Sequence, residues 1–404
     1  MNRKFLRGAV AALCCIALLG LTGCWDSVEL NRRAVVTGVA IDRGPSEEEK
    51  YELSFQVVVA DEISGKNARG TSPVAVYTGK GRSMFEALAD ASRQTARFLS
   101  LGHVRVLVIS EKFGREGIKD IMDVLERESE TRLTSFMFIS KGQTAKDSMT
   151  TMTVFSKIPA NDLVEKLETT SKQFGYNFKM EVDDVVRGLQ IPGGGPLING
   201  VLVSGDEKKS DTNDNLKNIA PNATLKVTGI AAFKADKLVG WLEGSEAVGT
   251  ALIKNKITQM PLLVKSGKGN YVAFNVYLSQ VKVEAEADNP EDPLITIKIT
   301  QQAGLKESPN NLDLTNPKVL NDLSRLVEQE TEKQLTAALT AARRMNSDFL
   351  GFGEAVERDN KKGWKVIENH WEQIFKKCRV KYDIDAVIRH TDMRSSSFQE
   401  NSPA

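Results

Sequence analysis

Residues 103–110 read His-Val-Arg-Val-Leu-Val-Ile-Ser, and the branched side chains Val104, Val106, Val108 and Ile109 predict a strand there. Working outward, Ser83-Met84-Phe85-Glu86 has the Ser-x-x-Glu spacing of a capping box, whose two side chains satisfy backbone N–H groups left open at a helix start. It opens a predicted amphipathic helix with Phe85, Leu88, Ser92, Ala96 and Leu99 on one face. A short strand, Val74 to Thr78, precedes it; a helix over 117–128 and a strand over 134–140 follow the central run. Strand, helix, strand, helix, strand from Val74 to Ser140 is the local pattern of an α/β layer.

Toward the N-terminus, Ala34 to Asp42 reads as a buried strand ended by Arg43-Gly44-Pro45, and Tyr51 to Ala60 as its partner across an acidic loop. Toward the C-terminus, 144–187 is mostly helical, with Asn161 or Asp162 as the N-cap after Pro159, and 196–204 is a strand. Residues 205–224 are polar and have little to bury. Beyond them a hairpin turns at Ala235-Asp236, a helix spans 245–255, and strands follow at 257–264, 271–286 and 294–303. Asn316-Pro317 places a cap and then a proline at the first helical position, predicting one long helix to Met345 whose apolar stripe is interrupted near Glu330. Trp364, Ile367, Trp371, Ile374 or Phe375, and Cys378 recur at helical spacing, and 380–390 closes the pattern as an alternating strand.

The predicted fold class is α+β: a multi-domain, mixed α/β chain with largely antiparallel or mixed sheets and a long helix in the C-terminal domain. The expected division is a leader over 1–23, an N-terminal α/β region over 24–204 with room for two subdomains, a linker or long loop over 205–224, a C-terminal α+β domain over 225–393, and a tail over 394–404.

The leader carries Arg3, Lys4 and Arg7 and then an uncharged apolar run up to Leu21-Thr22-Gly23-Cys24. A positive segment, an apolar segment and two small residues before a cysteine form a bacterial lipobox. An uncleaved span would need roughly 18 to 20 apolar residues, more than the run supplies. The expected mature chain begins at Cys24, with a diacylglyceryl thioether on its sulfur and a position on the extracytoplasmic face of a membrane. Two acyl chains suffice for stable anchoring, at about 0.8 kcal/mol per buried methylene. Asp26-Ser27-Val28-Glu29 then predicts a short helical turn.

The leader holds three of the 54 basic residues and none of the 53 acidic ones, so the mature chain has a formal charge of −2 and is no nucleic-acid binder. Of four cysteines, Cys14 and Cys15 leave with the leader and Cys24 is taken by lipid; Cys378 remains, on an apolar stripe, as a buried structural thiol.

No catalytic, cofactor-binding or metal-ligating residue is assigned. His103, His370 and His390 are too scattered for a metal motif, and Gly244-Ser245 lacks the second glycine of a nucleophile elbow. Gly193-Gly194-Gly195 is followed by no Lys-Ser or Lys-Thr pair, so it reads as a turn. Carboxylates are abundant, and the sequence leaves open a glycosidase-like pair, the chemistry an anchored envelope hydrolase would need. A tethered chain without such chemistry fits a non-enzymatic scaffold or gate. The rival from another class is a nutrient-binding lipoprotein that delivers a small solute to a transporter, which requires two doubly wound lobes around a cleft.

Gly23-Cys24-Trp25-Asp26, Glu29-Leu30-Asn31 and Gly38 to Asp42 at one end, and Asp348 to Glu354 with Trp364, Trp371, Phe375 and 380–389 at the other, resemble the Ger(x)C family of spore germination lipoproteins. Thr228 to Phe233 and Lys237 to Leu242 are similar to its middle. The resemblance implies a C subunit of a spore nutrient-germinant receptor, not an enzyme and without cofactor. It would be held by lipid on Cys24 at the outer face of the spore inner membrane beside A-type and B-type membrane subunits.

Overall fold

Nine strands build the N-terminal half around the strand Arg33–Arg43, in a computed structural model of the chain. The structure describes residues 32–63, 71–128, 130–212, 214–266, 270–308 and 314–390, besides Arg3 and Gly8. Cys24, the turn expected at Asp26 to Glu29 and the tail lie outside the described residues. The strands are β1 (Arg33–Arg43), β2 (Tyr51–Val58), β3 (Val74–Gly81), β4 (Phe98–Ser100), β5 (Val106–Ser110), β6 (Phe136–Ser140), β7 (Leu197–Gly205), β8 (Ala223–Lys234) and β9 (Lys237–Leu242). Their order is β3-β2-β1-β5-β6-β7-β8-β9, with β4 beside the start of β1. The centre β1-β5-β6-β7 is parallel, and the flanks β3-β2-β1 and β7-β8-β9 are antiparallel.

Parallel strands are buried on both faces, and the β-branched run at 103–110 meets that demand: all five residues of β5 are buried. Helices α1 (Met84–Ser92), α2 (Glu111–Glu116), α3 (Lys119–Arg127), α4 (Ala145–Thr150), α5 (Pro159–Gln173) and α6 (Val182–Leu189) accompany the sheet. One apolar cluster holds Leu107, Phe113, Ile121 and Val185; another, on the opposite face, holds Val106, Val108, Met149 and Leu163.

Two helix expectations change in the structure. Ser83 does cap α1, its hydroxyl accepting the Glu86 N–H at 3.1 Å, but α1 ends at Ser92, and Phe98–Ser100 turn into β4. Its buried face is Ala87 and Ala91, while Phe85 is 78% exposed. The cause lies in β3: a methyl group at Gly79 would stand 2.1 Å from the Ala87 carbonyl oxygen, so the backbones meet directly and only small residues fit. Helix α5 starts at Pro159 itself, and neither Asn161 nor Asp162 caps it. The buried Gln56 of β2 takes the Ala160 N–H at 3.1 Å instead.

Residues 206–222 connect two paired strands, since β8 lies antiparallel to β7. Asn215, fully buried, ties the connection down by accepting the Ala223 N–H and donating to the Met152 and Ala223 carbonyls. The expected cut between domains therefore falls inside one sheet.

The C-terminal half has α7 (Ser245–Ile253), β10 (Met260–Ser266), β11 (Asn270–Glu286), β12 (Leu294–Glu307), α8 (Pro317–Met345), α9 (Phe352–Asp359), α10 (Lys361–Ile367), α11 (Trp371–Lys377) and β13 (Arg379–His390). The sheet order is β10-β11-β12-β13, antiparallel except for the last pair. The long helix begins and ends as predicted, with the Asn316 side chain accepting the Lys318 N–H at 3.0 Å. Its wet interruption is a buried polar pair, Thr331 donating to Gln301 at 2.8 Å. Helices α7 and α8 cross at Gly249, where an added methyl would lie 1.9 Å from the Gln334 carbonyl. The chain is thus a mixed α/β protein with mixed sheets and a long C-terminal helix, and the apolar core runs without a break from Leu197, Ile230 and Leu242 to Phe352 and Trp371.

Candidate functional site

The most elaborate polar arrangement lies where the two halves meet, at residues 346–353. Helix α8 ends on Asn346 in the left-handed conformation, φ 52°, which turns the chain back toward β8. The Ser347 hydroxyl donates to the Phe233 carbonyl at 2.6 Å, and the Asp348 N–H donates to the Gly193 carbonyl at 2.9 Å.

Asp348 is then enclosed, 1% exposed. Its Oδ1 accepts the N–H groups of Gly351 and Phe352 at 3.0 Å each; its Oδ2 accepts Gly353 N–H at 2.7 Å and the Trp371 indole at 2.9 Å. The three backbone N–H groups are donors at the start of α9, so the carboxylate caps that helix from within. Burial raises the acid to about 6, outweighing the N–H donors and the more distant Lys254, which pull the other way.

Around it the rings interlock. Trp371 packs edge-on against Trp364 at 5.4 Å and tilts against Phe375 at 6.3 Å. A methyl at Gly353 would meet both indoles within 3 Å. The N-terminal half supplies the opposite wall, Gly193-Gly194-Gly195, which does turn at Gly194. Each glycine also faces the C-terminal half or β8 directly. Added methyls would stand 2.9 Å from Trp371 Cδ1, 2.8 Å from the Asp348 carbonyl and 2.4 Å from the Phe233 carbonyl. Lys234 pairs with Glu372 at 2.7 Å, and Glu372 also accepts the Asn346 amide at 3.0 Å.

Two openings lie away from this junction. A polar crevice of about 510 Å³ sits at the carboxyl ends of β1 and β5, where the strand order reverses, and includes Asp42, Glu111, Lys112 and Lys146. Asp42 accepts the N–H groups of Ala145 and Lys146 at 2.8 and 2.9 Å, and burial raises it to about 6. An apolar groove of about 210 Å³ lies between α1 and α3 over Phe55 and Leu107.

Cys24 lies outside the described residues. Cys378 is buried, at the C-cap of α11, and burial lifts its thiol to about 11. Among the described residues no three His, Cys, Asp or Glu side chains converge to hold a metal, and no helix is long and apolar enough to cross a membrane. Sequence reading gave Asp348 no role. The available signal was an aspartate three and five residues ahead of glycines at a helix start, where a carboxylate can collect successive N–H groups.

The glycine turn at 193–195 and the segment 346–353 that it meets fall in two family models. Residues 26–202 match the spore germination protein N-terminal domain, and 228–392 match the C-terminal domain described as spore germination B3/GerAC like. The chain is 29% identical to spore germination protein KC of Bacillus subtilis (strain 168) over 407 residues, covering 99% of this chain and 98% of that one. To spore germination protein B3 of the same strain it is 24% identical over 379 residues, with 92% and 94% covered. The crystal structure of the GerBC protein superposes with a TM-score of 0.55 at 19% identity, covering 87% of this chain and 96% of that chain, which shows a shared fold. With both halves matched and the fold shared, the chain belongs to the Ger(x)C family, the C subunits of spore germinant receptors.

Proposed function

We propose that the protein is the lipid-anchored C subunit of a nutrient-germinant receptor and acts without catalysis, assembling or coupling A-type and B-type membrane subunits at the outer face of the spore inner membrane. The observation that carries this reading is the junction at Asp348. Asp348 N–H on the Gly193 carbonyl, the Ser347 hydroxyl on the Phe233 carbonyl, the Lys234–Glu372 pair and the close approach of Gly193 and Gly194 to Trp371 and Asp348 tie the halves together, around a carboxylate that holds four N–H donors. Halves tied in this way are suited to hold neighbours in fixed relation.

The delivery alternative lacks support. It requires a second doubly wound lobe, whereas the C-terminal sheet is antiparallel apart from β12 and β13. The anchor itself rests on the lipobox at Leu21 to Cys24.

A strain carrying Cys24→Ala tests the reading. Loss of the protein from spore membranes together with loss of nutrient germination is expected. Normal germination with the protein released from membranes would sink it.

A further inference from the structure

Strands β1, β4, β5 and β6 run parallel and therefore begin at one edge of the large sheet. Arg33 is in register with Phe98 there. The loops before β5 and β6 are tied together at the same edge: the Ser135 hydroxyl donates to the Val104 carbonyl at 2.7 Å, and Leu101 N–H donates to Glu130 at 3.2 Å. Segments 32–33 and 97–105, Glu128 and segment 130–135 thus share one surface.

That surface is rich in arginine and partly apolar. Its arginines are Arg32, Arg33, Arg97, Arg105 and Arg132; its carboxylates are Glu128 and Glu130, with Glu181, Asp183 and Asp184 on the segment hydrogen-bonded along 133–136, where Asp183 and Asp184 pair with Arg187. Arg32, Arg97 and Arg132 are exposed, and no ion pair joins them to a described residue. Arg105 is steadied by Asn161 at 2.9 Å. Among them Phe98 is 65% exposed and Leu133 40%. Arginines interspersed with an aromatic ring and a leucine match the level of phospholipid headgroups, where cations meet phosphate and rings sit at the apolar boundary.

The place of the edge in the chain supplies the second argument. Eight residues lead from Cys24 to Arg32, an extended reach of about 30 Å at most. A lipid on Cys24 therefore keeps this edge beside the bilayer, at high effective concentration. We propose that the strand-start edge of the N-terminal sheet lies on the membrane, its arginines binding anionic phospholipid headgroups with Phe98 and Leu133 set at the interface. The inference rests on the anchor proposed above for the orientation of the protein, but the affinity of the edge for lipid does not depend on acylation.

The test uses the mature chain from residue 24 carrying Cys24→Ser, which cannot be acylated. It is sedimented with vesicles of phosphatidylglycerol and phosphatidylcholine, and with vesicles of phosphatidylcholine alone. Pelleting with the anionic vesicles is expected, weakened by salt, with about a fivefold loss per arginine removed and so about 25-fold for Arg97→Gln with Arg132→Gln. Phe98→Ser lowers pelleting on its own. These side chains are exposed, and an unchanged near-ultraviolet circular dichroism spectrum verifies each fold. Equal pelleting on both compositions, absence of pelleting, or a double variant equal to the parent overturns the proposal. If vesicles are ignored while the double variant loses partner proteins from spore membranes, the edge is a protein contact and the proposal fails too. Mass spectrometry of the membrane-bound protein reads the anchor separately: an unmodified Cys24 would remove the anchor and leave the vesicle result standing.

Discussion

Asp348 and Trp371 are bound to each other across the turn that opens α9: Oδ2 of the aspartate accepts the indole N–H at 2.9 Å while also accepting Gly353 N–H at 2.7 Å. The tryptophan is fully buried, and its ring faces Gly193 of the other half. One carboxylate thus fixes a helix start, an indole and the wall between two halves. Removing it leaves Phe352 N–H, Gly353 N–H and the Trp371 indole without that partner, while Gly351 N–H keeps the Asp348 carbonyl at 3.2 Å.

Asp348→Ala is expected to cost more than about 3 kcal/mol of stability, because each buried donor left open costs about 1–3 kcal/mol and neighbouring losses do not simply add. Trp371→Phe keeps most of the ring and removes one donor, for about 1–3 kcal/mol. Urea unfolding measures both. Variants within about 0.5 kcal/mol of the parent, the range of ordinary surface changes, would show that the contact does not hold the junction.

Asp42 and Asp348 each rise from 3.8 to about 6 on folding, with burial as the leading cause. Between those values the folded chain binds more protons than the unfolded one, so stability falls as pH rises from about 4 to about 6 and levels off above. Each site accounts for about 3 kcal/mol between the two ends. The thermal midpoint should be higher at pH 5 than at pH 7, and Asp348→Asn should flatten that slope. A midpoint higher at pH 7 would contradict the assignment.

Gly195→Ala and Gly249→Ala place methyls 2.4 Å and 1.9 Å from the backbone oxygens of Phe233 and Gln334. Alanine ordinarily favours a helix over glycine by about 1 kcal/mol, so Gly249→Ala should be stabilising if propensity governed. Close approach governs instead, and a loss of about 1–3 kcal/mol is expected from each. Calorimetry showing either variant to be more stable than the parent would refute the close contact.

The strands and the long helix were legible because their signals are local. Branched runs mark β1, β5 and β12, and Pro317 with no further glycine or proline before Gly351 marks α8. The face of α1 was not legible, since Gly79 and Gly81 on another strand decide which side of the helix comes close. The cap of α5 by Gln56 joins residues 104 positions apart, beyond any motif window. The triple glycine shows as a turn in sequence, but its partners Trp371, Asp348 and Phe233 are distant in the chain. What the sequence could not carry was tertiary contact; the N-cap at Ser83, a purely local device, read correctly, although Glu86 accepts the Arg82 N–H at 2.9 Å and does not close the box on Ser83.

Cys378 is 3% exposed and its thiol is raised to about 11 by burial, so it should resist iodoacetamide in the native protein and react once unfolded in urea. Peptide mapping distinguishes it from Cys24. Rapid native labelling at Cys378 would mean that α11 opens, and with it the junction that Trp371 holds.

The most direct measurement is recovery of a C-terminally tagged protein from spore membranes, with mass spectrometry of what accompanies it. A receptor subunit predicts co-recovery of a multi-spanning, transporter-like protein and a second germination subunit. Recovery of the tagged chain alone, from membranes in which other complexes stay intact, would contradict that role.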